Sequence, residues 1–197
     1  MPSPEDVIRF WLGEPDAPPL ANAPKWWKKD DAFDLEIKER FLETLERAAR
    51  GEIADWQTTP RGRLALVLVY DQLSRNMFRG TARSFAQDAL ARDISLQAFA
   101  AGDDEVLTPI EVSSLLMPFM HAEELELQQR CIDGFAKLRD ATTDEGLHAN
   151  FARSFEYGNQ HKVIIERFGR FPHRNAIVGR TSTADEAEFL TQPGSSF

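Results

Sequence analysis

The chain has 197 residues, with 32 acidic against 23 basic side chains, a net charge of −9 and a single cysteine. That acidity argues against nucleic acid or an anionic lipid surface as a main partner, and a lone Cys131 leaves no internal disulfide. Fourteen Phe and four Trp supply apolar bulk for one domain over residues 1–197. The expected location is the cytoplasm: no signal-peptide succession opens the sequence, and its apolar runs fall short of the ~20 residues a membrane span needs.

Ser3-Pro4-Glu5-Asp6 is a helix start, with a cap, a proline at the first position and acids in the first turn. Val7, Ile8, Phe10, Trp11 and Leu12 give that helix an apolar face, and Gly13 stops it. Pro15, Pro18, Pro19 and Pro24 make the next stretch a loop, anchored by Trp26-Trp27. From Asp30 or Asp31 an amphipathic helix runs to Arg50, with Phe33, Ile37, Phe41, Leu45 and Ala48 inward.

Thr59-Pro60 opens the helix around which the chain is organised. Leu64 to Tyr70 are apolar on every side and must be covered all round. With no breaker the helix then turns polar: Asp71, Arg75 and Arg79 recur at i, i+4 and i+8, beside Gln72 and Asn76. Charges that continue a buried helix line a cavity or are paired inside the fold. Gly80 closes this helix.

A helix through Phe85, Ala89, Leu96 and Phe99 ends at Gly102. Thr108-Pro109-Ile110-Glu111 is a capping box, and Pro118 is expected to kink or end the helix it opens, one turn before His121. Helices follow from Ala122 to Leu138 and, capped by Thr143, from Asp144 to Phe168. The last carries Leu147, Phe151, Ser154, Gly158, His161 and Ile165 on one stripe. After the loop GRFPHRNAIVGRTST a short helix begins at Ser182 or Thr183, and the tail PGSSF straps the end. No segment alternates with period two, so the expectation is an all-α domain of about eight helices.

Four groups are candidates for a site, each with a plainer alternative. Asp71, Gln72, Arg75, Asn76 and Arg79 form a cavity wall able to fork an anion, or an internal Asp71–Arg75 pair with a solvated last turn. His121 with Glu123 is an acid–base pair, or a helix entry with ordinary first-turn acids such as Glu124. His161 is a site histidine, or a core one bonded to a carbonyl. Arg170, Pro172, His173, Arg174, Asn175 and Arg180 focus positive potential, or flank a helix C-terminus. No HExxH, CxxC, EF-hand, GxSxG or Gly-rich phosphate loop occurs, so neither metal nor cofactor is called for.

DQLSRNMFRG, MPFMHAEE, GRFPHRNAIVGRTST and the final FL together resemble the bacterial family known as domain of unknown function 924, over nearly the whole chain. The resemblance implies a right-handed, tetratricopeptide-repeat-like array of helix pairs around a concave face, and no established activity. Its motif residues here are Asp71, Gln72, Arg75, Asn76, Arg79, Gly80, His121, Glu123, Pro172, His173, Arg174, Asn175, Gly179 and Arg180. Ala122 stands where the family pattern has Ser, which removes a hydroxyl from that corner.

Two functional readings follow. In the first, the central helix, the His121 corner and the 170–180 loop converge on a pocket for a small anionic molecule. Arg75, Arg79 and Arg174 hold the anion there; His121, His161 or His173 supplies acid–base chemistry, oriented by Asp71, if a reaction takes place. In the second, a concave surface grips an acidic peptide or a C-terminal carboxylate. Ligand, reaction and oligomeric state are not readable from the residues.

Overall fold

The computed structural model describes residues 1–26 and 28–196, all helical or irregular, with no strand among them. Its helices are α1 (Pro4–Leu12), α2 (Ala23–Trp26), α3 (Asp31–Ala49), α4 (Pro60–Val67), α5 (Ser74–Met77), α6 (Asp88–Ala100), α7 (Pro109–His121), α8 (Leu125–Ala141), α9 (Glu145–Phe168) and α10 (Ala184–Phe189). None of these is long and apolar enough to cross a membrane. Each of α6, α7 and α8 packs on the next helix in sequence, while α4 packs on α1, α6 and α7 at once. That position explains why Leu64 to Tyr70 are all buried.

Helix starts follow the capping residues. The Ser3 hydroxyl accepts from the Asp6 N–H while the Asp6 carboxylate accepts from the Ser3 N–H at 2.8 Å. Thr108 with Glu111, and Thr183 with Glu186, repeat this reciprocal arrangement. Thr59 accepts from the Gly62 N–H at 3.1 Å, just where the chain turns against the Trp56 carbonyl. The cap of α9 is Asp144 rather than Thr143: its carboxylate accepts from Leu147 N–H at 2.8 Å, and a carboxylate also suits the helix dipole.

Several expectations are corrected. Phe85 precedes α6, on a 3-10 turn at Ala82–Phe85, because α6 begins only at Asp88. Pro118 does not end α7, which runs on to His121. The carbonyls at its C-terminus are gathered by the buried Gln128, whose Nε2 donates toward Phe119, Met120 and Ala122 at 3.3, 2.7 and 2.7 Å. Glu123 and Glu124 stand before α8 rather than in its first turn. Trp26 donates its indole N–H to the Trp11 carbonyl at 2.9 Å and stacks on that ring; Trp27 and the terminal Phe197 lie outside the described residues. In the tail, Ser195 is buried and its hydroxyl donates to the Leu190 carbonyl at 3.3 Å.

The central helix departs from expectation where its chemistry begins. Between α4 and α5 the backbone adopts a π-helical turn at Leu68–Leu73, with the Ser74 N–H reaching the Val69 carbonyl. Such widened turns are rare inside helices and occur frequently at functional sites. This one carries Asp71.

Candidate functional site

Asp71 has no exposed surface, yet its carboxylate is surrounded by donors. Gln72 Nε2 donates to Oδ2, Arg75 Nη2 donates to Oδ1 at 3.1 Å, and His121 Nδ1 lies 2.7 Å from the same Oδ1. Burial opposes its ionisation, but His121, Arg75 and Gln72 outweigh that and hold the carboxyl well below the usual carboxylate range. An ionised Asp71 accepts only, so His121 carries its proton on Nδ1 and leaves Nε2 as the second ring nitrogen. Burial and the neighbouring Arg75 push the imidazole below its ordinary value despite Asp71, which keeps the ring neutral at pH 7.

Arg75 also donates to Asp88 Oδ1 at 2.9 Å, and Arg174 Nη1 approaches the other oxygen, Oδ2, at 3.3 Å. Asp88 thus bridges two guanidinium groups arriving from α5 and from the loop after α9. Both lie over the Phe85 ring, 5.4 and 4.8 Å from its centroid, and Arg174 also faces Phe171 at 4.5 Å. A third connection pins that loop. Arg180 donates twice to Glu123, at 2.6 and 2.9 Å, and Glu123 accepts from the Phe171 N–H at 2.8 Å. Burial works against ionisation of Glu123, and Arg180 more than offsets it.

These groups surround a cavity of about 330 Å³ lined by Phe85, Asp88, Ala89, Arg92, Pro118, His121, Ala122, Glu123, Glu124, Arg174, Val178 and Arg180. Asp71 and Arg75 stand behind His121 rather than on the cavity wall. His161 sits on α9, its Nδ1 donating to the Tyr157 carbonyl at 2.8 Å and its ring meeting the edge of Phe171. Burial pushes it down to about 3, and burial together with Arg174 pushes His173 down to about 4.

Other candidates are placed elsewhere. Arg79 lies past the end of α5 and forks Asp34 of α3 at 2.7 and 2.9 Å, with Asn76 donating to the same carboxylate at 2.7 Å. The i, i+8 arithmetic fails because the helix widens at residue 68 and ends at Met77. Gln72 faces a separate small, mostly apolar space walled by Trp11, Trp26, Met117 and Phe135, with Ser113, Ser114, Asn150 and Ser154 at its edges. Asn175 is buried against Ser182 and Glu186, and Glu186 is also forked by Arg170 at 2.6 and 2.8 Å. The Arg170 pair is the main cause holding Glu186 down at about 2. Asp88, Phe85 and Arg92 are the site residues the sequence did not single out; an acid at a helix start reads as an ordinary dipole partner. Among the described residues no three His, Cys, Asp or Glu side chains gather as a metal-ligand set.

Fold and site together define an all-α protein with an arginine- and histidine-lined polar cavity beside a π-turn. The chain belongs to the family described as bacterial protein of unknown function (DUF924), whose model matches residues 7–194. It is similar to a solved protein of unknown function, ATU0120 from Agrobacterium tumefaciens, at 35% identity and a TM-score of 0.80, over 95% of this chain and 96% of that one. No curated protein matches.

Proposed function

We propose that this protein binds a small anionic molecule in the cavity bounded by His121, Arg92, Arg174 and Arg180. One observation carries the reading: Arg174 is a cation short of negative charge. Its side chain is 9% exposed, and the one carboxylate that pairs with it among the described residues, Asp88, is 3.3 Å away and shared with Arg75. Burial, and then the like charge of Arg75, pull its guanidinium down to about 10, whereas every other arginine with a resolved shift among the described residues is pushed up. An anion in the cavity relieves that deficit with charge-assisted hydrogen bonds. The volume suits a metabolite-sized molecule better than a peptide strand.

The test is thermal denaturation with succinate or inorganic phosphate. A ligand at about a hundred times its Kd adds ~2.7 kcal/mol, or roughly 5–10 °C for a chain of this size. Arg174→Met is expected to keep or raise the melting temperature without anion, because it removes an underpaired buried charge. The same variant should lose the anion-dependent rise. An equal rise in wild type and variant would place the anion elsewhere.

A further inference from the structure

The His121–Asp71 pair does more than line this cavity. His121 is fixed at one nitrogen by a carboxylate with no exposed surface, and that carboxylate is itself held by Arg75 and Gln72. The remaining ring nitrogen belongs to a side chain on the cavity wall. Its pocket neighbours are arginines, carboxylates and apolar groups: among the described lining residues none carries a hydroxyl, thiol or amine. A base placed there has water as its nucleophile to activate. From these observations, and resting on the anion-pocket reading above, we infer that His121 Nε2 is the general base of a water-dependent ester hydrolysis, acting on small esters that bear a carboxylate or phosphate. Asp71 is its positioning residue.

The step balances within the site. Water gives a proton to His121 Nε2 as its oxygen bonds to the ester carbonyl carbon, and the carbonyl electron pair moves onto oxygen beside the Arg174 guanidinium. Collapse of that adduct breaks the bond to the leaving alkoxide or phenolate, and the imidazolium returns the proton to it or to solvent. The charged and titratable groups facing His121 are Asp71 and Arg75 from the central helix, Arg174 from the C-terminal loop and His161 from α9. Asp88, Arg92, Glu123, Glu124 and Arg180 stand on the same cavity wall.

The experiment follows 4-nitrophenyl hemisuccinate hydrolysis by the full chain, wild type against His121→Gln, with succinate-dependent melting on the same samples. Saturable wild-type turnover that falls at least 100-fold in His121→Gln supports the assignment. Turnover equal in the two proteins, or no turnover above buffer, overturns it, and intact succinate stabilisation would show that the anion pocket survives that failure. Conversely, His121-dependent turnover without any melting response would sink the anion pocket alone. Asp71→Asn tests the positioning role: the acid limb of the pH–rate profile should move to lower pH by about one unit as the ring loses its anionic partner. An unmoved limb removes Asp71 from the proposal. Because Asp71→Asn risks unfolding, the wild-type ring is also read by nitrogen NMR at pH 7.5. A proton on Nδ1 and a bare Nε2 agree with the assignment; the opposite tautomer or an imidazolium contradicts it.

Discussion

Gln128 shows how much a single buried side chain can hold in place. Its buried amide spans the end of α7 and donates toward three main-chain carbonyls. Those carbonyls end the helix that presents His121. Replacing it by leucine keeps the volume but takes a donor from each of these acceptors, at a cost of about 1–3 kcal/mol for each one left buried and unpaired. Some acceptors will find solvent, so Gln128→Leu is expected to lower the melting temperature by roughly 5–10 °C. The same change should weaken anion stabilisation, since it loosens the corner that carries His121. A melting curve that matches wild type would mean the carbonyls are satisfied without Gln128. In the sequence this residue reads as an ordinary polar position on an amphipathic helix. Nothing in its spacing reveals that it turns back toward the preceding helix, because that contact exists only once the 122–124 connection is folded.

At the level of elements, legibility follows how local the physics is. Caps depend on three or four neighbouring residues, so the starts at Ser3, Thr59 and Thr108 are readable to the residue and those at Asp30 and Thr183 to within one. The polar residues after Tyr70 could be recognised as abnormal for a helix that begins fully buried, and Asp71, Arg75, His121, Glu123, Arg174 and Arg180 do come together in space. The π-turn was not readable: a widened turn is stabilised by tertiary contacts, and the i, i+4 rule that grouped Arg79 with Arg75 assumes it absent. Gly62 is the other silent element-level device. A Cβ there would sit 2.0 Å from the Trp56 carbonyl oxygen, a backbone atom that cannot swing aside. Gly62→Ala is therefore expected to destabilise by about 1–3 kcal/mol despite alanine's better helix propensity. Chemical denaturation would register this as a lower midpoint with an unchanged slope; a stabilised variant would show that the turn before α4 yields freely.

Across the whole molecule, three histidines are held neutral near three arginines, and that combination ties stability to pH. Folded His161 and His173 titrate at about 3 and about 4, below the ~6.5 of an unfolded imidazole. The unfolded chain therefore binds protons first. The contribution of these groups is fully present above pH 6.5 and is lost as pH falls toward 4 and 3, at about 1.4 kcal/mol per pH unit for each group. The depressed carboxyls Asp34, Asp71, Glu123 and Glu186 act in the same direction, but only from about pH 4.5 downward. Melting temperature should thus decline between pH 6.5 and 5, before carboxylate protonation begins, and His161→Asn should flatten that decline. A bound anion changes the balance. It offsets the positive potential of Arg75, Arg174 and Arg180 and makes proton uptake by His121 and His173 easier in the folded state. By linkage, proton and anion then favour each other, so succinate should stabilise more at pH 6 than at pH 7.5. A stabilisation that is constant between those two values would separate the histidines from the anion pocket.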